Sequence, residues 1–361
     1  MFDRKFSRLA GPQAPSASAP AAALTSDPLI EKRLKIYLGP LTQLTHGEYI
    51  ITYPWQTMLC HAKMTFDDIE NAYREANGQP VANIRTLRNY AVPLVELHRK
   101  FSIDAPFMLV AGDPRQALSV PAFAKARPLL HPGNSVLLPL NAERHWMPIE
   151  DVIGHDIEFR HKRPTVVWRG TTTGIFKRKR GRETLGSRAH VPRVLQEIDA
   201  DWLDMGYSSV GRLDAQSEFP REHLRRCIKN KLSIPEQLQS KFILCLEGND
   251  VSTSLKWVLY SNSAVIMPHP TVESWACESL LIPFHHYIPV RTDLSDLADV
   301  FKWCEDNDDK CADIARNGSN FIKRFLYRRT EMRIIRRVIM EYHRRVRLIE
   351  TDPHPDCLSN P

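Results

Sequence analysis

The chain has 361 residues, of which 43% are hydrophobic, 25% charged and 9% aromatic. These values sit close to those of globular proteins and exclude collagen-like, wholly disordered and membrane-bundle chains; the length exceeds what one ordinary core needs, so two domains are expected. Forty-nine Lys and Arg against 42 Asp and Glu leave a net charge of +7, which suits anionic partners (phosphates, nucleotides, nucleic acid, lipid surfaces) without choosing among them. The seven cysteines, at 60, 227, 245, 277, 304, 311 and 357, are odd in number and form no CxxC pair, a pattern that reads as reduced and cytosolic. No run reaches the roughly 18 apolar residues that span a bilayer. No apolar signal core follows the early basic residues, so a cytoplasmic protein is expected.

In chain order, residues 10–24 (AGPQAPSASAPAAAL) carry too little bulky apolar surface to offset the entropy of ordering, and 1–27 are expected to form a flexible leader. Residues 28–163 mix helical patterns, such as 65–76, with apolar runs such as 106–111 that end in a Gly-Asp-Pro turn, and read as one α/β domain. A basic stretch at 161–164 precedes the apolar run 165–168, where a second domain, 164–326, is expected to begin. Within it, short buried-type strands at 242–246, 264–267 and 287–290 alternate with helical patterns at 253–261, 273–281 and 294–304. That alternation argues for βαβ units on a parallel sheet, and no repeat of fixed period competes with it. The last segment, 327–361, holds a helix and tail: over 321–350, Ile334, Val338, Tyr342 and Val346 stand four apart among ten Lys or Arg and three Glu. This is a basic amphipathic helix whose stripe is expected to pack on the domains, with a membrane or nucleic-acid surface as the alternative.

Three segments can carry chemistry. VVWRGTTTG at 166–174 is a strand running into a Gly- and Thr-rich turn with an arginine at its lip. Small residues let backbone N–H groups approach an anion, hydroxyls add donors, and a guanidinium supplies a forked cation for phosphate; an ordinary strand-to-loop turn would look similar. FILCLEGNDVSTSLKW at 242–257 reads as strand, polar turn and helix start, with Ser252 as N-cap and Lys256 as added charge. The helix's free N–H groups would then face the sheet edge where ligands of open α/β sheets bind. The alternative is that Asn249 and Asp250 only shape the turn and Lys256 is solvated. In 267–290, Glu273 at a helix start can accept from ribose hydroxyls or cap the helix. His285 and His286 point to opposite faces of a strand with no third ligand at metal spacing, so zinc is not expected. The triplets Asp199-Ala200-Asp201 and Asp306-Asn307-Asp308 read as solvated turns rather than metal sites.

Together these segments resemble glycosyltransferase family 90, the group of capsule-associated proteins, bacterial lipopolysaccharide-modifying members and animal protein O-glucosyltransferases. The resemblance covers about 108–326 and is strongest over 232–320, through LSIPEQLQSKFILCLEGNDVSTSLKWVLYSNSAVIMPHPTVESW, LLIPFHHYIPVRTDLSDL and NDDKCADIARNGSNFI, with WRGTTTG as second anchor. It implies an α/β, GT-B type architecture: two Rossmann-like domains facing a cleft, acceptor site mainly in the first and nucleotide-sugar site mainly in the second. It also implies an inverting transfer with neither metal nor cofactor, only a nucleotide-sugar co-substrate, expected to be a UDP-sugar. In such a reaction a carboxylate takes the acceptor hydroxyl's proton while the nucleoside diphosphate leaves, its charge held by cations and backbone donors.

By the resemblance, Asp113 in FMLVAGDPR at 107–115 is the base, and the donor-binding set is Arg169, Gly170, Thr171, Thr172, Arg188, Gly248, Asn249, Ser252, Ser254, Lys256 and Glu273. Glu273 is the ribose residue of that set. The animal enzymes carry an arginine where this chain has Ser254, and the EGND turn looks more like bacterial members. The expected acceptor is a surface glycan or lipopolysaccharide-type glycolipid at the inner face of the cytoplasmic membrane. Basic patches would touch anionic lipid peripherally, and nucleic acid is not an expected partner. A reading from another class is a non-catalytic basic scaffold for anionic glycolipid or nucleic acid.

Overall fold

The computed structural model describes residues 28–53, 56–78, 84–114, 117–179, 182–211 and 221–350; the expected leader and the end of the tail lie outside them. The chain divides into two compact units. One joins the described residues up to Asn141 to those from Arg329 onward, and the other runs Ala142–Arg328.

The first unit opens with α1 (Pro28–Leu38), β1 (Gly47–Ile50), β2 (Thr57–Cys60), α2 (Phe66–Asn77), α3 (Ile84–Lys100), β3 (Phe107–Val110), β4 (Ala122–Ala124) and β5 (Ser135–Leu137). Strands β2 to β5 form one sheet in that order, with β2 antiparallel to β3 and the other neighbours parallel. All four residues of β3 are buried, the continuous apolar run of a strand covered on both faces. Helix α2 starts where the sequence places it because Thr65 and Asp68 form a capping box: Asp68 N–H donates to the Thr65 side chain, and the Asp68 carboxylate accepts from Thr65 N–H at 2.7 Å.

The second unit holds β6 (Arg163–Thr171), the hairpin β7 (Phe176–Lys179) and β8 (Arg182–Leu185), α4 (Val191–Glu197), β9 (Leu203–Ser209), β10 (Ser240–Leu244), α5 (Leu255–Tyr260), β11 (Ala264–Met267), β12 (Ile288–Pro289), α6 (Leu297–Asp306) and α7 (Asp308–Lys323). Its sheet is five-stranded and wholly parallel, in the order β9, β6, β10, β11, β12. Val166, Phe242, Leu244, Ala264 and Ile266 from the strands pack with Phe301 and Ile314 of the covering helices. The helix expected over 273–281 does not form. Val272–Ser274 is extended and Glu278–Leu280 is a single 3-10 turn. Cys277 between them stands at φ +53, and the Glu278 carboxylate takes the Ser274 N–H and hydroxyl at 2.6 Å each, side-chain bonds that compete with a helical ladder.

The chain then returns to the first unit as α8 (Arg328–Arg345) and β13 (Val346–Ile349), the latter pairing in parallel with β1. Ile334, Val338 and Tyr342 of the expected stripe are buried, and the Tyr342 hydroxyl donates to the Pro121 carbonyl at 2.9 Å. The stripe is therefore core. The fourth position, Val346, lies in the strand rather than the helix. Glu331, buried on α8, receives both guanidinium nitrogens of Arg33 on α1 at 2.8 and 2.7 Å, a forked pair that fixes α8 against the first helix.

A histidine pair also joins α3 to α8. His98 stacks on Phe107 at 3.9 Å, donates from Nδ1 to the Leu94 carbonyl at 2.8 Å and brings Nε2 to within 3.0 Å of His343 Nε2. With its Nδ1 proton given to Leu94, neutral His98 offers the Nε2 lone pair to the N–H of His343 Nε2. Burial pushes His98 down to about 4 and His343 down to about 3, each reinforced by neighbouring histidine charge. An unfolded histidine titrates near 6.5, so the unfolded chain binds more protons in this range. The stabilisation is present above about pH 6.5 and is lost as pH falls toward 4, with a slope of up to about 1.4 kcal/mol per pH unit for each histidine. Urea denaturation followed across that range is expected to show the slope, and His343→Leu is expected to flatten it.

Candidate functional site

In the second sheet β6, the first strand in the chain, is flanked by β9 on one side and β10 on the other. The strand order reverses between β6 and β10, and at such a switch point the connections leaving the C-terminal strand ends part and open a crevice that binds ligands. The turns that emerge there are 171–174 and 245–250, the two phosphate-type segments of the sequence. They touch. Gly174 stands at φ +79, and a Cβ on it would lie 2.2 Å from the carbonyl carbon and oxygen of Gly248. Only glycine fits this crossing. A Cβ on Gly248 would meet Arg188 Nη2 and Thr173 Oγ1, both at 3.3 Å.

Arg188 ties the turns together. It lies in the 3-10 turn Ser187–His190 that follows the hairpin and is only 8% exposed. Its Nη1 donates to the Thr171 carbonyl at 3.1 Å and the Thr173 hydroxyl at 3.0 Å, and its Nη2 donates to the Leu246 carbonyl at 2.9 Å. The guanidinium also sits 5.8 Å over the Trp168 ring. From below, the Tyr207 hydroxyl on β9 donates to the Arg188 carbonyl. Burial first, then repulsion from Arg144, push the guanidinium down to about 10, so it stays protonated at neutral pH. Its Nε is buried and has no hydrogen-bond partner among the described residues. A buried donor left unspent on a charged group costs free energy until an acceptor arrives.

Hydroxyls surround the crossing. Thr171 and Thr173 Oγ1 are 2.9 Å apart, Thr172 Oγ1 accepts from Gly211 N–H at 2.9 Å, and Ser252 and Ser254 Oγ are 3.0 Å apart. Ser254, not Ser252, occupies the N-cap position of α5, and it makes no capping bond. Glu247, which the sequence reading passed over, fixes the second turn by accepting from Thr271 N–H at 2.8 Å and Val272 N–H at 3.2 Å. Its position directly after a buried strand end was the available signal.

Other predicted residues stand elsewhere or are engaged. Arg169 reaches over to β9, where its Nη2 donates to both Asp204 carboxylate oxygens at 2.8 and 2.9 Å, while its Nε donates to the Asn230 carbonyl at 2.9 Å. Lys256 is buried and 3.2 Å from Glu278, so its charge is not solvated; with Glu278 it fastens the segment that follows β11. Glu273 is buried on an extended segment, and Oε1 accepts from Ser279 N–H at 3.0 Å. Asp113 belongs to the first unit, just past β3; it is 33% exposed, and Lys125 Nζ lies 2.7 Å from its Oδ1. Asp308 holds Lys241 at 2.7 Å and Asp306 holds Lys302 at 2.9 Å. Among the described residues no three His, Cys, Asp or Glu side chains cluster for a metal, and no helix is long and apolar enough to cross a membrane.

Residues 144–354 match the profile of glycosyl transferase family 90. The chain belongs to glycosyltransferase family 90. It is a glycosyltransferase, and the matched residues contain both turns and Arg188, whereas Asp113 lies outside them. The chain is 31% identical to O-glucosyltransferase LpsA of Dichelobacter nodosus over 245 residues, which cover 68% of this chain and 69% of that protein. It is also 31% identical over 168 residues to uncharacterized protein 035R of invertebrate iridescent virus 3, 44% of this chain and 15% of the viral protein. Against protein O-glucosyltransferase 2 of Danio rerio it is 31% identical over 86 residues, 24% of this chain and 17% of the fish protein.

In this family 90 transferase the crossing of the turns is expected to tolerate no side chain at position 174. Gly174→Ala must move the backbone at Gly248 and is expected to cost about 2 kcal/mol or more in urea denaturation. Gly154→Ala, where nothing lies within 4 Å of the added Cβ, is the matched control and is expected to be neutral or slightly stabilising.

Proposed function

We propose that the protein is an inverting, metal-independent transferase on a GT-B plan that moves a sugar from a UDP-sugar to a hydroxyl of a surface glycan or lipopolysaccharide-type acceptor. The observation that carries this reading is the buried Arg188 guanidinium, which bridges two phosphate-type turns at the switch point and keeps Nε unspent. A departing diphosphate needs fixed positive charge and donors that are already in place. Arg188 supplies the cation, and the hydroxyls of Thr171, Thr173, Ser252 and Ser254 supply donors around it. Glu273 is the carboxylate assigned to the ribose hydroxyls.

Asp113 is assigned the base. A lysine at 2.7 Å favours its ionised form, which is the form that accepts the acceptor's proton as the hydroxyl attacks the anomeric carbon. One displacement inverts that carbon. The names of the bacterial and fish relatives make glucose the first donor sugar to test. The protein is placed in the cytoplasm, where the exposed arginines 329, 333 and 336 of α8 would give peripheral contact with anionic lipid.

With UDP-glucose, saccharide acceptors and EDTA, turnover is expected to continue and the new linkage to be β, since the donor sugar is α-linked to its phosphate. Asp113→Asn is expected to lower kcat by about 10²- to 10⁴-fold while UDP affinity stays within about twofold. An α linkage by NMR, turnover that stops in EDTA, or full turnover in Asp113→Asn contradicts the corresponding part of the mechanism.

A further inference from the structure

A cavity of about 530 Å³ opens on the second unit, lined by Phe284, Trp303, Lys310, Asp313, Ile314 and Asn317. The loop that carries Phe284 runs into β12 at its N-terminal end. In an all-parallel sheet that edge is opposite the one from which the 171–174 and 245–250 turns emerge, so this cavity is not part of the phosphate crevice.

Phe284 is the odd residue here. It stands at φ +55, a region that bulky side chains avoid, and the residue is 56% exposed. The loop holds it there: Phe284 N–H donates to the Tyr287 carbonyl at 2.7 Å, and His286 N–H donates to the Ile282 carbonyl at 2.9 Å. Backbone strain and lost burial are two separate costs, and glycine would serve the turn without either. Strain retained beside a concave surface points to a ligand. The phenyl ring meets the half-buried Trp303 ring at 5.1 Å and 64°, and buried Ile314 forms an aliphatic floor.

The other lining groups are polar and come from one face of α7. Lys310 donates to the Asn307 side chain at 2.7 Å, Asp313 accepts from Arg316, and the Asn317 amide lies 3.4 Å from His285 Nδ1. A pyranose ring presents an apolar C–H face with hydroxyls around its rim. Aromatic faces take the first, and an ammonium, a carboxylate and an amide offer the donors and acceptors that vicinal hydroxyls need. An alkyl chain would make use of none of these three polar groups.

We propose that this cavity is a saccharide-binding subsite, remote from the donor phosphates, that takes a pyranose unit of a neutral oligosaccharide. It anchors part of a longer glycan chain on the transferase independently of the nucleotide. The test is saturation-transfer NMR on the full chain with cellotetraose, laminaritetraose and maltotetraose as probes, and with UDP titrated into the same samples. At least one tetrasaccharide is expected to bind saturably and to resist displacement by UDP. Phe284→Gly is expected to weaken it at least tenfold while leaving UDP affinity unchanged and Tm no lower than that of the parent chain, because glycine relieves the positive φ. Asn317→Ala, at a half-buried helix position, is expected to weaken it at least threefold and serves as a second variant. Absence of saccharide binding to the parent chain, binding that survives both substitutions, or displacement by UDP overturns the subsite. So does an effect of Phe284→Gly on phosphatidylcholine vesicle binding with none on saccharides. Failure of UDP to bind the parent chain would count against the donor reading and leave the subsite standing.

Discussion

One buried cation organises the second unit's functional edge. Removing a guanidinium from water is costly unless its donors are met, and Arg188 meets that cost with two backbone carbonyls and a threonine hydroxyl drawn from two different turns. The turns are thereby tied to each other, and their contact is so close that Gly174 admits no side chain against the Gly248 backbone. Among the described residues Nε has no partner, so the buried guanidinium keeps a donor that an anion in the crevice could meet. In the proposed reading a sheet switch point supplies the crevice and the arginine supplies its cation for a phosphate.

The rest of that edge is built to hold still. Lys256 and Glu278 form a buried pair whose value is in position more than in stability, since such pairs repay their desolvation only with good geometry. Glu278 then fixes Ser274, and Glu247 fixes residues 271 and 272. Arg169 and Asp204 lock β6 to β9. Donors that are fixed before the charge develops need no reorganisation when it does. The first unit uses the same device in the Arg33–Glu331 pair, which brings the C-terminal helix back onto the first one.

Much of this was legible in the residues. The apolar runs at β6, β10 and β11 read as buried strands because a parallel strand is covered on both faces, and 264–267 was found with its own bounds. The failures have physical causes. Residues 273–281 carry helical periodicity, yet Glu278 bonding back to Ser274 and the left-handed Cys277 break the ladder. Arg169 stood next to the glycine turn in sequence, but its side chain reaches over to Asp204. Arg188 reaches the site from a hairpin return, and no local pattern marks that path; only the family resemblance drew attention to it. The stripe of α8 was visible, whereas its return to the first unit depends on a partner, Arg33, almost three hundred residues away. Lys125 beside Asp113 is likewise a product of folding alone.

The most direct measurement is calorimetric titration of UDP into the purified protein in EDTA, compared with Arg188→Lys. Lysine keeps the positive charge but loses the fork that spans both turns and still offers a donor. Saturable binding to the parent chain, weakened at least tenfold in Arg188→Lys with an unchanged circular dichroism spectrum, is the predicted result. No binding to the parent chain, or equal affinity in the two proteins, would contradict the assignment of this crossing as the donor-phosphate site.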